Sequence, residues 1–172
     1  METPSSSAEN AAEWESLVGK AILRFGDVEL VSIRLIAATD SSKSLISISR
    51  ERFSDRASKL IEMLESRDQL SDSERALLDG YVRAKELSQI RNLIAHNPMM
   101  LDIYVNEDET EMHAEHSIRS LRSDDEFLDI AALKEFAHEV ENLSANIWLH
   151  YCKVRGSSSD LWRLHDPEDR HK

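Results

Sequence analysis

The chain has 172 residues, 41% of them hydrophobic, and carries a formal net charge of −12 at pH 7. This length predicts a single domain with a buried core. The negative charge argues against broad nucleic-acid binding through a basic surface, and it leaves room for a small, locally basic cleft. Few glycines and prolines favour a helical protein. The single cysteine, Cys152, excludes an intramolecular disulfide and fits a reducing, cytoplasmic location.

The first helical pattern follows a polar, serine-rich start. We expect residues 1–11 to be a disordered leader and residues 12–38 to form a helix with apolar side chains at helical spacing. Glu29 falls on the packing stripe of that helix, where a carboxylate needs a partner. Arg91 is the obvious candidate for that partner. The alternative is that Glu29 lies at the edge of the stripe and reaches water.

Two further helices are predicted before the centre of the chain. Residues 39–49 are serine-rich and predict a loop, and residues 50–67 show a clean amphipathic stripe. The third helix has the clearest limits. Ser71 followed by Glu74 is a capping-box signature at its start. Pro98 disfavours helical geometry in the residue before it and marks its end.

Cation-forming and polar side chains gather where the third helix ends. Arg91 lies on the packing stripe, so it needs an anionic or carbonyl partner, or else it lines a cleft or an interface. Asn92 and His96 are four residues apart and share one face, and the helix dipole favours the imidazolium of His96. Asn97 is expected in a left-handed conformation after the last turn. A guanidinium beside a titratable imidazole suits a phosphate group.

An acidic β-hairpin is predicted between the third and fourth helices. Residues 99–105 and 111–118 alternate in polarity on either side of a polar turn. A lone hairpin is marginally stable, so it must pack on the body or on a partner. His113 and His116 are three apart in a strand and therefore face opposite sides, so we expect no metal site there.

The last predicted helix begins after a cap at Ser123 or Asp129 and runs to about Val154. Residues 156–172 form a polar tail, in which Trp162 either docks back on the body or marks a short binding segment. The fold class is therefore all-α. We expect an antiparallel bundle of four main helices, with a small β-hairpin inserted between helices three and four, in one domain over residues 12–155.

The run RNLIAHNP, which begins at Arg91, resembles the Arg-(four residues)-His motif of the HEPN superfamily. Members are small all-helical proteins, and many are metal-independent ribonucleases of toxin–antitoxin and phage-defence systems. The resemblance implies a homodimer in which two copies of the motif face each other across one cleft. It also implies an RNA substrate, no cofactor, no metal, and a possible antitoxin or regulatory protein as a further partner. Separately, the sequence has no long apolar run, so we expect no membrane association.

The resemblance assigns roles to five residues. His96 acts as base or acid, Arg91 clamps the phosphate, and Asn92 orients the imidazole ring or the substrate. Glu29 and Asn97 are supporting residues. The products implied are a 2′,3′-cyclic phosphate and a 5′-hydroxyl.

Two other readings remain open. In the first, the protein is a non-catalytic helical dimer that binds a protein or a nucleotide, with Arg91 and Glu29 as a structural ion pair and His96 as a helix cap. In the second, more remote reading, the protein is a metal-dependent hydrolase that uses its scattered histidines.

Overall fold

The protein is seen in a computed structural model that describes residues 7–40, 42–105, 112–123 and 125–156. About 73% of these residues are helical, and the remainder includes one small antiparallel sheet, so the predicted helical character is confirmed. The elements in chain order are α1 (Ser7–Thr39), α2 (Leu45–Ser49), α3 (Phe53–Glu65), α4 (Asp72–His96), β1 (Met99–Val105), β2 (Met112–Arg119), β3 (Phe127–Leu128) and α5 (Ile130–Gly156).

The four long helices share one hydrophobic core. α5 packs along both α1 and α4, and α3 packs on α4. Each long helix directs its predicted apolar stripe toward this core. Burial of that apolar surface is the main contribution to the stability of the fold. The largest fully buried side chains are Trp14, Phe25, Leu35, Ile48, Leu60, Leu64, Leu77, Tyr81, Leu133 and Ile147.

The directions of the helices differ from a simple antiparallel arrangement. Glu13 and Lys20 of α1 form salt bridges of 2.7 Å with Lys134 and Glu141 of α5, so these two neighbours run in the same direction. α4 runs opposite to α5. Where Gly80 faces α5, a Cβ built on it would lie 3.0 Å from a side-chain carbon of Ile147, so a larger residue would require this side chain to shift.

The limits of α4 agree with the predicted signals. Ser71 Oγ accepts a hydrogen bond from Glu74 N at 3.3 Å, and Glu74 Oε2 accepts one from Ser71 N at 2.9 Å, which completes the capping box. The helix ends at His96, as expected. The predicted left-handed conformation of Asn97 is wrong, since its φ and ψ are −126° and 151°. Pro98 explains the difference, because a residue before proline is held in the extended region.

Other boundaries shift by several residues. α1 begins at Ser7, so it includes residues 7–11, which were predicted to belong to the leader. The predicted loop contains the short helix α2, which starts at the N-cap Ser44. Of the two candidate caps for the last helix, Asp129 is the one used: its Oδ1 accepts a hydrogen bond from the backbone of Ala132 at 2.7 Å. The rest of the leader and the tail with Trp162 lie outside the described residues.

The sheet has three strands, where the sequence predicted two. β1 pairs with β2 in an antiparallel register that places Leu101 opposite His116, and β2 pairs with β3 through Ile118 and Leu128. Ile118 and Leu128 are buried, so this end of the sheet is fixed to the helical body. The far end of β1 is exposed on both faces. The predicted turn at 106–110 lies outside the described residues.

Candidate active site at the end of helix α4

Glu29 of α1 is held by two arginines from two other helices. Its Oε1 accepts a hydrogen bond from Nη2 of Arg91, so the predicted contact between these two side chains is present. Its Oε2 accepts a second hydrogen bond from Nη2 of Arg56 at 3.2 Å. The carboxylate therefore joins α1, α3 and α4 at one point, beneath the last turns of α4.

Arg56 is a member of this cluster that the sequence analysis missed. Its side chain is only 3% exposed. Its Nε donates to Ser32 Oγ at 3.1 Å, and its Nη1 donates to the backbone carbonyl of Glu51. A signal was available, because Arg56 lies on the apolar stripe of α3 between Phe53 and Leu60. The same reasoning had identified Arg91 as an arginine on a packing stripe that needs a partner.

Aromatic rings form the inner wall of the cluster. The Arg91 guanidinium carbon lies 5.1 Å from the centre of the Phe25 ring, and that of Arg56 lies 5.9 Å from the Phe53 ring. The two rings meet edge to face at 5.1 Å. Tyr81 of α4 is fully buried, and its hydroxyl donates a hydrogen bond to the carbonyl of Val28 at 3.4 Å. Burial raises the pKa of Tyr81 well above its usual value, so this phenol stays neutral.

The cluster has more positive than negative charge. Arg56 and Arg91 together carry two positive charges, and Glu29 carries one negative charge, so the three side chains sum to +1. Nε of Arg91 is buried and has no hydrogen-bond partner among the described residues. The Arg91 side chain is 19% exposed. The cluster is thus a cationic site in a protein of strongly negative net charge, and it reaches the surface at Arg91.

The opposite side of the same helix end is open to solvent. Asn92 and His96 are both exposed, and neither makes a side-chain hydrogen bond within the described part of the chain. Their spacing of four residues places them on one face of α4. The imidazole of His96 is therefore accessible to solvent and to a ligand.

Asn97 has a structural position. Its Nδ2 donates to the carbonyl of Leu93 at 2.9 Å, which satisfies one of the last acceptors of α4. Its Oδ1 accepts from the backbone N–H of Leu121 at 2.9 Å, and this joins the helix end to the loop after β2. Asn97 therefore supports the local backbone instead of the His96 ring.

Arg91 and His96 do not lie on one face within a single subunit. Five residues of α-helix correspond to a rise of about 7.5 Å and a rotation of about 140°. The guanidinium of Arg91 turns inward to Glu29, whereas His96 is exposed. The structure thus brings Arg91 to Glu29, and it brings Asn92 to the same face as His96.

Within the described residues, no group of three or more His, Cys, Asp or Glu side chains could hold a metal ion. No described helix has the length and apolar character needed to cross a membrane. Comparison of the chain with protein-family models, with curated proteins and with solved structures gave no match.

Proposed function

We propose that the protein is a HEPN-like, metal-independent endoribonuclease of the toxin or phage-defence type, with Arg91 and His96 as its catalytic residues. One observation carries the proposal: a cationic cluster with a single excess positive charge and an exposed imidazole occupy the two sides of one helix end. The proposal includes the family fold, in which the four main helices form the bundle, and a homodimeric assembly.

The chemistry begins with removal of the proton from a ribose 2′-hydroxyl. The resulting oxygen attacks the adjacent phosphorus, and the bond from phosphorus to the 5′-oxygen breaks. His96 takes or gives the proton as the general base or acid. Arg91 binds the phosphate oxygens as negative charge grows on them. Asn92, on the face of His96, orients the ring or the substrate.

A second copy of the chain supplies what one copy lacks. One imidazole is not both free acid and free base in the same step. In addition, Arg91 and His96 of one subunit lie on different sides of α4. Two copies of the motif across one cleft provide two imidazoles and place the guanidinium of one subunit near the imidazole of the other. A net charge of −12 restricts the substrate to a short RNA segment selected by shape, or to one delivered by a partner.

The test is incubation of the purified protein with random-sequence RNA and total tRNA in excess chelator. The proposal expects cleavage products with a 2′,3′-cyclic phosphate and a 5′-hydroxyl, identified by mass spectrometry. A matched DNA pool should remain uncut. Absence of RNA cleavage, or products with 5′-phosphates, would contradict the proposal.

A second candidate function is favoured by the position of Arg91. Because its guanidinium is paired with Glu29 and stacked near Phe25, it fits a structural role in a non-catalytic dimer that binds a protein or a nucleotide. This candidate expects no cleavage of any RNA pool. It also expects that Arg91→Ala lowers the unfolding midpoint and changes nothing else. An RNA-cleaving wild-type protein would exclude it.

A further inference from the structure

The outward face of α1 carries a stripe of leucines and glycines that no described residue covers. Gly19, Leu23, Gly26 and Leu30 repeat at spacings of four, three and four, on the side of the helix opposite the buried Val28. Leu23 is 74% exposed and Leu30 is 39% exposed. This alternation of three and four is the seam pattern by which two helices pack along their lengths.

Packing within one subunit does not require the glycines on this face. A Cβ added to Gly19 or Gly26 would meet no other atom within 4 Å, in contrast to Gly80, which contacts Ile147. A glycine inside a helix costs about 1 kcal/mol relative to alanine. Two such glycines flank the most protruding leucine of the helix. Leu23 therefore protrudes from this face, and the glycine on either side of it leaves space for a side chain of another helix.

We propose that this face of α1 binds the same face of a second copy of the chain, with the two helices antiparallel. In that register Leu23 of each copy lies opposite Gly26 of the other, and Leu30 lies opposite Gly19 of the other. Each large side chain thus faces a gap, as close packing requires. The same register brings Ala12 opposite Ala37. A parallel pair would instead place leucine against leucine and glycine against glycine.

The charges beside the seam fit the antiparallel pair. Glu13, Lys20, Asp27 and Arg34 are seven residues apart and alternate in sign along one side of the seam. Antiparallel pairing brings this side of one helix against the same side of the other. Glu13 then lies near Arg34 of the second copy, and Lys20 lies near its Asp27. Every close pair in the row is attractive.

These four side chains already make contacts within the subunit, and those contacts are weak ones. Glu13 and Lys20 bridge to α5, Asp27 bridges to Arg24, and Arg34 lies over the ring of Trp148 at 5.5 Å. All are at the surface, where such pairs contribute about 1 kcal/mol or less. Rearranging them on association therefore costs little.

The pairing also positions the candidate active site. The two-fold axis passes midway between residues 23 and 26, so Glu29 lies about 7 Å from it along the helix. Both copies of Glu29, each with its Arg91, lie on the same side of the helix pair, opposite the charged row. The inference rests on the proposed function only in that the nuclease needs a dimer. In this dimer the two Glu29–Arg91 pairs lie on one side, where a shared cleft would form.

The first test is sedimentation velocity of the full chain at concentrations up to about 100 μM, without RNA. We expect a dimer that Leu23→Asp weakens by at least about tenfold in Kd. Leu121→Asp is the matched control, because Leu121 is also 74% exposed and lies far from α1 in the chain. A monomeric wild-type protein, or equal effects of the two variants, would overturn the proposal.

A second variant separates dimer affinity from folding. Gly26→Ala adds a methyl group that has room in one subunit and favours the helix, so the unfolding midpoint of the dilute monomer should stay or rise. The Kd of the dimer should rise by at least about tenfold, because the methyl occupies the gap for Leu23. An unchanged Kd would overturn the interface.

A charge exchange tests the direction of the helices. Arg34→Glu should weaken the dimer, and the double variant Glu13→Arg/Arg34→Glu should restore it, since the two positions face each other only in the antiparallel pair. Loss without restoration would contradict the antiparallel register. An intact dimer that does not cleave RNA would contradict the proposed nuclease and leave the interface standing, whereas RNA cleavage by a dimer that Leu23→Asp does not weaken would contradict the interface and leave the nuclease standing.

Discussion

The two sides of the last turns of α4 differ in burial and in side-chain hydrogen bonding. On the inner side, Arg91 is largely buried, paired with Glu29 and close to the Phe25 ring. On the outer side, Asn92 and His96 are exposed and make no side-chain hydrogen bond within the described residues. The inner side has the contacts of a group that stabilises the fold. The outer side is accessible to a ligand, as the proposed role of His96 in proton transfer requires.

The side chain that is expected to stabilise the fold and those that are proposed to act in cleavage therefore lie on different sides of one helix. Loss of Glu29 would be costly chiefly at Arg56, because this arginine is buried and its charge would be left without compensation. An exposed side chain with no partner contributes little to stability, so evolution of its chemistry is less constrained by the fold. Variants on the two sides should therefore give opposite patterns of unfolding and cleavage.

The largest expected effect is on the outer side. His96→Ala should lower the rate of RNA cleavage by about 10²- to 10⁴-fold, because the general acid or base is removed. Its free energy of unfolding should stay within about 0.5 kcal/mol of the wild type. Initial rates and urea unfolding measure the two quantities. His138→Ala is the matched control, since His138 is also exposed on a helix and has an asparagine four residues away. Equal cleavage by both variants would place the chemistry elsewhere.

The largest expected loss of stability is on the inner side. Glu29→Ala leaves the buried Arg56 and the partly exposed Arg91 without their shared carboxylate, and we expect a loss of about 1–3 kcal/mol in the free energy of unfolding. Urea denaturation provides the measurement. Glu139→Ala serves as control, because Glu139 also binds an arginine, but at the surface. If Glu29→Ala is no more destabilising than its control, then the cluster does not hold the three helices together.

A smaller effect is expected at the boundary between the two sides. Asn97→Ala removes the hydrogen bonds to Leu93 and Leu121, and each contributes about 1 kcal/mol or less. For a chain of this length, a loss of 1 kcal/mol lowers the melting temperature by about 2–4 °C. Asn142→Ala, at an exposed site on α5, should leave the melting temperature unchanged. A similar decrease in both variants would remove the structural role of Asn97.

The smallest effect concerns Glu51, whose backbone carbonyl accepts a hydrogen bond from Arg56. Lys43, and then Lys59, lower the pKa of Glu51 to about 2 from its usual 4.5. A lowered pKa stabilises the fold above pH 4.5, and that contribution is lost as the pH falls toward 2. Because the group is near the surface, we expect about 1 kcal/mol or less at pH 7. Unfolding of Glu51→Gln should differ from that of the wild type by this amount at pH 7 and converge with it near pH 2. A difference that persists at low pH would contradict the cause.

The sequence predicts those parts of the site that depend on local chemistry. Ser71, Glu74 and Pro98 define the limits of α4 because caps and proline act on adjacent residues. The need of Arg91 for a carboxylate follows from its place on a packing stripe. The same reasoning extends to Arg56, which has its own partners at Ser32 and Glu51.

Features that depend on distant parts of the chain were not predictable in this way. β3 has two residues and exists through pairing with β2 and burial of Leu128, so no period is visible in its sequence. The parallel direction of α1 and α5 depends on the path of the whole chain between them. Neither cap signals nor stripes contain that information.

In the proposed function, the protein cleaves RNA by attack of a ribose 2′-hydroxyl on the adjacent phosphorus, without a metal ion. The most direct measurement uses one RNA oligonucleotide with a mapped cleavage site and a copy that has a single 2′-deoxy substitution on the 5′ side of the scissile phosphate. In excess chelator, the account predicts that the wild-type protein cleaves the first RNA and leaves the same bond of the second intact. Equal cleavage of both RNAs would contradict the account.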